Sequence, residues 1–232
     1  QSSLQQLIKE LLATLSPEKA ASLSDEETVD LKILAELSYN DLQRHAHPVR
    51  LLSEICRLLF KTGDKQSLRY GLALSQILHS FKCVQDESWH LAHIYRGIAQ
   101  IGLGEIQLGI KNVSSGLSAR EGFVLSSVDR SLGNWALCSA AIRNRNLKLA
   151  LNFVQQWRQA AKKGELREEI LRAWITQYLL ALVMGEYDSA PKPLSEQFSD
   201  IPVNWQKTVD FLEDWAREMK TPLKILEKRG GE

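Results

Sequence analysis

The chain is 232 residues long, 44% apolar and 25% charged, with 29 Lys and Arg against 28 Asp and Glu. That mixture excludes an intrinsically disordered chain, and a net charge of +1 supplies no global field to gather nucleic acid or an anionic membrane. The longest apolar run, 178–184, is too short to cross a bilayer, and three widely spaced cysteines, Cys56, Cys83 and Cys138, suit reduced, packed thiols and a cytoplasmic location rather than a disulfide framework.

Apolar residues recur at helical spacing throughout, with no stretch alternating at period two, which predicts an all-α protein of about 10–12 helices. Gln1 in place of an initiator Met reads as a chain that begins inside a longer product. Leu4, Leu7, Ile8, Leu11, Leu12 and Leu15 form a stripe that Ser16-Pro17 ends. Ser24 and Glu27 make a capping box for a helix reaching about His45. His47-Pro48 opens a helix pair, 48–61 and 65–81, broken at Gly63. A second pair covers 89–101 and 105–117 after an Asp86 cap, and a third covers 128–142 and 147–162. The fourth starts with 165–184 and has a second helix shortened by Pro191 and Pro193. Trp205, Val209, Leu212, Trp215 and Met219 then form an amphipathic helix ahead of a basic tail.

The breaks at Gly63, Gly104, Arg145 and Gly185 are 41, 41 and 40 residues apart. A period in this range marks stacked helix pairs, each burying its apolar face only against its neighbours. Without a Gly/Ser/Pro-rich linker, the chain reads as one structural domain. Residues 1–46 are N-terminal helices for capping or self-association, 47–199 are four helix pairs, and 200–232 are a capping helix and tail.

Gly97, Gly109 and Gly116 around the Gly104-Glu105 turn, Gly185-Glu186-Tyr187 with Ala190, and Ala150 with Val154 resemble the tetratricopeptide repeat family. Trp157 stands where that family has a small residue, Leu68 where alanine is usual, and the period exceeds the family's. The resemblance covers 48–194 and implies antiparallel helix pairs stacked as a right-handed α-solenoid. It further implies that the first helix of each pair lines a concave groove. The residues collected there are Arg57, Ile94, Ile98, Ile101, Trp135, Ile142, Arg143, Arg172, Ile175 and Leu179. This groove has an apolar centre and basic ends, which suits a helical or extended segment with hydrophobic anchors. It is either open to a partner or filled by the chain's own leucine stripe or the helix around Trp205 to Trp215. The carboxylate clamp of some family members is not expected, because Ser53, Tyr95, Ile98, Leu132 and Ala136 occupy its positions.

The resulting expectation is a non-catalytic adaptor, scaffold or chaperone-like module that binds another protein or peptide, without cofactor or metal, and with a homodimer as a further form. Trp135→Ala is expected to abolish peptide binding and leave helicity intact. The alternative is a sensory module of a larger regulator, such as a bacterial transcriptional regulator, that binds a peptide or small effector. No membrane contact and no direct nucleic-acid binding is expected. His90 and His93 share a helix face near Cys83, but no fourth ligand follows at a recognisable spacing. They read as packed or solvated histidines, and no arrangement for nucleophilic catalysis appears. The sequon Asn112-Val113-Ser114 falls inside an expected helix and is treated as chance.

Overall fold

Seven helices are present in the computed structural model, which describes residues 47–81, 87–118 and 125–185, and no strand occurs among the described residues. They are α1 (Pro48–Thr62), α2 (Lys65–Ser80), α3 (Glu87–Leu103), α4 (Ile106–Leu117), α5 (Ser127–Arg143), α6 (Leu147–Lys163) and α7 (Arg167–Met184). The leucine stripe, the Ser24 cap, Cys83, the Asp86 cap, the shortened helix after Gly185 and the helix at Trp205 lie outside the described residues. The chain divides into two compact units, Gln1–Leu125 and Ser126–Glu232.

The helix ends follow from local chemistry. Pro48 opens α1, where a missing N–H costs nothing. Gly63 ends it at φ 68°, donating its N–H to the Leu59 carbonyl at 3.4 Å. Asp64 then caps α2, accepting from the backbone N–H of Gln66 and of Ser67, both at 2.9 Å. The α3–α4 turn satisfies its carbonyls differently: Gly104 donates to Ile101 (3.2 Å) and Glu105 to Gln100 (2.9 Å). The α5–α6 turn repeats that pattern, Arg145 to Ile142 and Asn146 to Ala141 (both 2.9 Å), as does α6–α7, Glu165 to Lys162 (3.1 Å) and Leu166 to Ala161 (3.0 Å). All four breaks seen in the sequence are left-handed, with φ of 68° at Gly63, 99° at Gly104, 56° at Arg145 and 68° at Gly185, and Glu165 joins them at 52°.

In the first unit α1 packs on α2 and α3, α2 on α3, and α3 on α4. Leu52, Ile55, Cys56, Leu59, Leu74, Leu78, Ile94 and Tyr95 fill its core. The helices α3 and α4 meet backbone to backbone. A Cβ on Gly97 would lie 2.6 Å from the Gly109 carbonyl oxygen, one on Gly109 2.7 Å from that of Gly97, and one on Gly116 2.7 Å from that of His90. In the second unit α6 packs against both α5 and α7. Cys138, Ala141, Ala150, Leu151, Val154, Trp157, Ala173 and Leu180 form the buried cluster between them. Trp157 fills the place expected of a small residue, and its indole N–H donates to Glu169 Oε2 at 3.1 Å. Cys56 and Cys138 are buried and not joined in a disulfide, and burial pushes the Cys138 thiol up to about 12, which leaves it inert.

Candidate docking face

The residues assigned to a groove fall in different surroundings. Arg57 is half-buried on α1. Ile94, Ile98 and Ile101 are buried and cannot line an open surface, which corrects their placement. Ile94 and Ile101 each put Cγ1 2.6 Å from where a Cβ on Gly116 or Gly109 would stand, so both side chains fill the notches those glycines leave on α4. With α2 also packed on α3, its apolar residues are covered on more than one side, as expected of a helix apolar around most of its circumference. Ser53 and Tyr95 are likewise buried, Ser53 donating its hydroxyl to the Val49 carbonyl at 2.7 Å.

The second unit keeps its candidates nearer to solvent. On α5, Trp135 is half-buried against the core cluster, while Ile142 and Arg143 are exposed. On α7, Ile175 and Leu179 are half-buried and Arg172 is exposed. Arg172, Ile175, Leu179 and Val183 are spaced three and four apart, so they share the side of α7 turned from buried Ala173, Trp174, Leu180 and Ala181. Arg172 Nη1 contacts Glu169 Oε1 at 3.3 Å, and the other oxygen of Glu169 accepts from Trp157. One carboxylate thus ties a surface cation to a core indole. Trp135 packs into the core as well as facing outward, so its truncation removes core contacts together with any surface contact. Ile142, Ile175 and Leu179 are the cleaner probes.

The histidines have structural roles. His90 is buried and donates from Nδ1 to the Gly116 carbonyl at 2.8 Å. His93 donates from Nδ1 to Asn112 Oδ1 (3.1 Å), Asn112 donates to Gln100 Oε1 (2.7 Å), and Gln100 donates to Glu105 Oε2 (3.1 Å). Burial holds the His93 pKa below its ordinary value, partly offset by Asn112. The ring of Trp89 lies 4.2 Å from that of His93, and the His79 ring meets it edge-on at 5.7 Å. Among the described residues no group of three or more His, Cys, Asp or Glu side chains is placed to hold a metal ion, and no described helix is long and apolar enough to cross a membrane. Sequence reading missed the polar chain from His93 to Glu105, because its members are spread over α3, the following turn and α4. It also left out Leu149, which stands 41 residues after Leu108, and both are exposed.

Comparison of the chain with known protein families, with characterised proteins and with solved structures finds no match.

Proposed function

We propose that this chain is a non-catalytic interaction module of divergent, tetratricopeptide-like helix pairs stacked as an α-solenoid, which binds a helical or extended segment of another protein. The observation that carries this reading is the set of apolar side chains left partly or fully exposed on α5 and α7: Trp135 and Ile142 on one, Ile175 and Leu179 on the other. Each lies on a helix whose opposite side packs into the buried core of the second unit. Left-handed turns at a regular spacing support the repeat architecture. Apolar anchors on a rigid helical surface suit helix-in-groove recognition.

The test is a panel of labelled amphipathic peptides, neutral, acidic and basic, titrated against the full chain by fluorescence anisotropy. At least one class is expected to bind, and Ile175→Asp with Leu179→Asp is expected to weaken it about tenfold or more while the helical circular dichroism is retained. Absence of binding by every class would remove the proposal.

A further inference from the structure

We propose that the end of the second unit made by the α5–α6 turn and the C-terminus of α7 docks an acidic amphipathic segment of a partner protein. Apolar side chains of that segment would rest on Ile142, Leu149 and Val183, and its carboxylates on Arg145 and Lys148. This rests on the interaction-module reading and names the chemistry of the partner.

Topology assembles the apolar part. Short turns make α6 antiparallel to both α5 and α7, so the last turn of α5, the first of α6 and the last of α7 share one end of the unit. The exposed large hydrophobic residues among those described are Leu108, Ile142, Leu149 and Val183, and the last three all sit at this end, on three different helices. Ile142 is 39% exposed, Leu149 40% and Val183 60%. In the first unit Ile101, 41 residues before Ile142, is only 3% exposed. The same repeat position is thus core in one unit and surface in the other.

Charge fixes what kind of segment fits. Residues 142–149 contain three cations and no carboxylate, and Arg143, Arg145 and Lys148 are all exposed. Among the described residues neither Arg145 nor Lys148 is paired with a carboxylate. Both stand where local structure disfavours them. Arg145 takes φ 56° at the position that is glycine in the other three breaks, a backbone that costs an L side chain about 1–2 kcal/mol. Lys148 lies in the first turn of α6, which holds no acidic residue, and a cation there opposes the helix dipole. Two cations kept against local preference, beside three exposed aliphatic side chains, mark a surface shaped for something outside the unit. A membrane fits less well. Among the described residues the patch has no exposed aromatic side chain to seat at the lipid interface, and three cations on a chain of net charge +1 give only about 1 kcal/mol each near an anionic surface.

The experiment compares two peptides of about 18 residues with leucine at i, i+3, i+4 and i+7, one with glutamate and one with lysine at the remaining positions, against the full chain. The acidic peptide is expected to bind at least about tenfold tighter than the basic one. Arg145→Glu with Lys148→Glu should erase that preference, and Ile142→Ser should weaken the acidic peptide, all without loss of helicity. Arg145→Gly gives a signature that general damage would not: a higher Tm together with weaker binding of the acidic peptide. Equal binding of both peptides, abolished by Ile175→Asp with Leu179→Asp, overturns this proposal and leaves the interaction module standing. Binding of neither peptide overturns this proposal, and the interaction module falls with it only if the neutral peptide also fails to bind. Tighter binding to phosphatidylserine vesicles than to the acidic peptide, or a dimer in light scattering that Arg145→Glu dissolves, assigns this end to a lipid surface or to a second copy and overturns it.

Discussion

Gly97 and Gly109 show how much a single missing methyl group decides here. A Cβ on either would stand 2.6–2.7 Å from the other's carbonyl oxygen, and a backbone atom in a packed helix pair has nowhere to go. Gly71 differs in kind, because a Cβ there would meet the Phe60 ring at 2.5 Å, and a ring can turn. Gly97→Ala is therefore expected to cost on the order of 1–3 kcal/mol, with Gly71→Ala costing less, as urea denaturation of each variant would read. Equal costs would show that α3 and α4 can separate freely. The resemblance of the Gly104-Glu105 repeat to the tetratricopeptide pattern implied Gly97, Gly109 and Gly116 as close-approach sites. The sequence placed the break at Arg145 equally well, since the period alone locates it. The left-handed backbone at Glu165 was not legible, because no glycine and no matching repeat position announces it.

Single helices were easier to delimit than to orient. Capping residues, proline and glycine bracket α1, α2, α5 and α6 within a residue or two of the expected ends, since each end is set by a local hydrogen bond or a φ value. Which face of a helix is covered depends on the neighbours, and spacing alone does not reveal them. Ile94, Ile98 and Ile101 lie on a regular helical face that suits a groove, yet α2 and α4 enclose them. The cap of α2 carries a pH prediction. The Asp64 carboxyl is held at about 2, below its ordinary 3.8, mainly by the Ser67 hydroxyl and then by the Ser67 backbone N–H. A carboxyl depressed in the folded state stabilises it fully above the unfolded value and ceases to do so as pH falls through the folded one. Wild type should thus melt above Asp64→Ala at pH 6, with the gap closing between about pH 4 and pH 2. A gap unchanged at pH 2 would mean that the cap acts equally well when protonated.

Charge at the scale of the whole molecule conceals a local feature. The chain carries +1 in total, while residues 142–149 hold three cations and no anion, so the remainder has a small negative excess. Composition correctly excludes a global field but says nothing of a cationic end, which emerges only when α5, α6 and α7 bring that segment beside Val183. An acidic partner is consequently attracted only within about one Debye length, ~10 Å at 0.1 M salt, and long-range steering is weak. The association rate of the acidic peptide, followed by stopped-flow anisotropy, is expected to fall by less than about tenfold between about 0.05 and 0.5 M salt. Arg145→Glu with Lys148→Glu should abolish or reverse that fall, because the segment then holds one cation and two carboxylates. A fall of about a hundredfold or more would require a cationic surface far larger than this end offers, and would place the encounter elsewhere on the molecule.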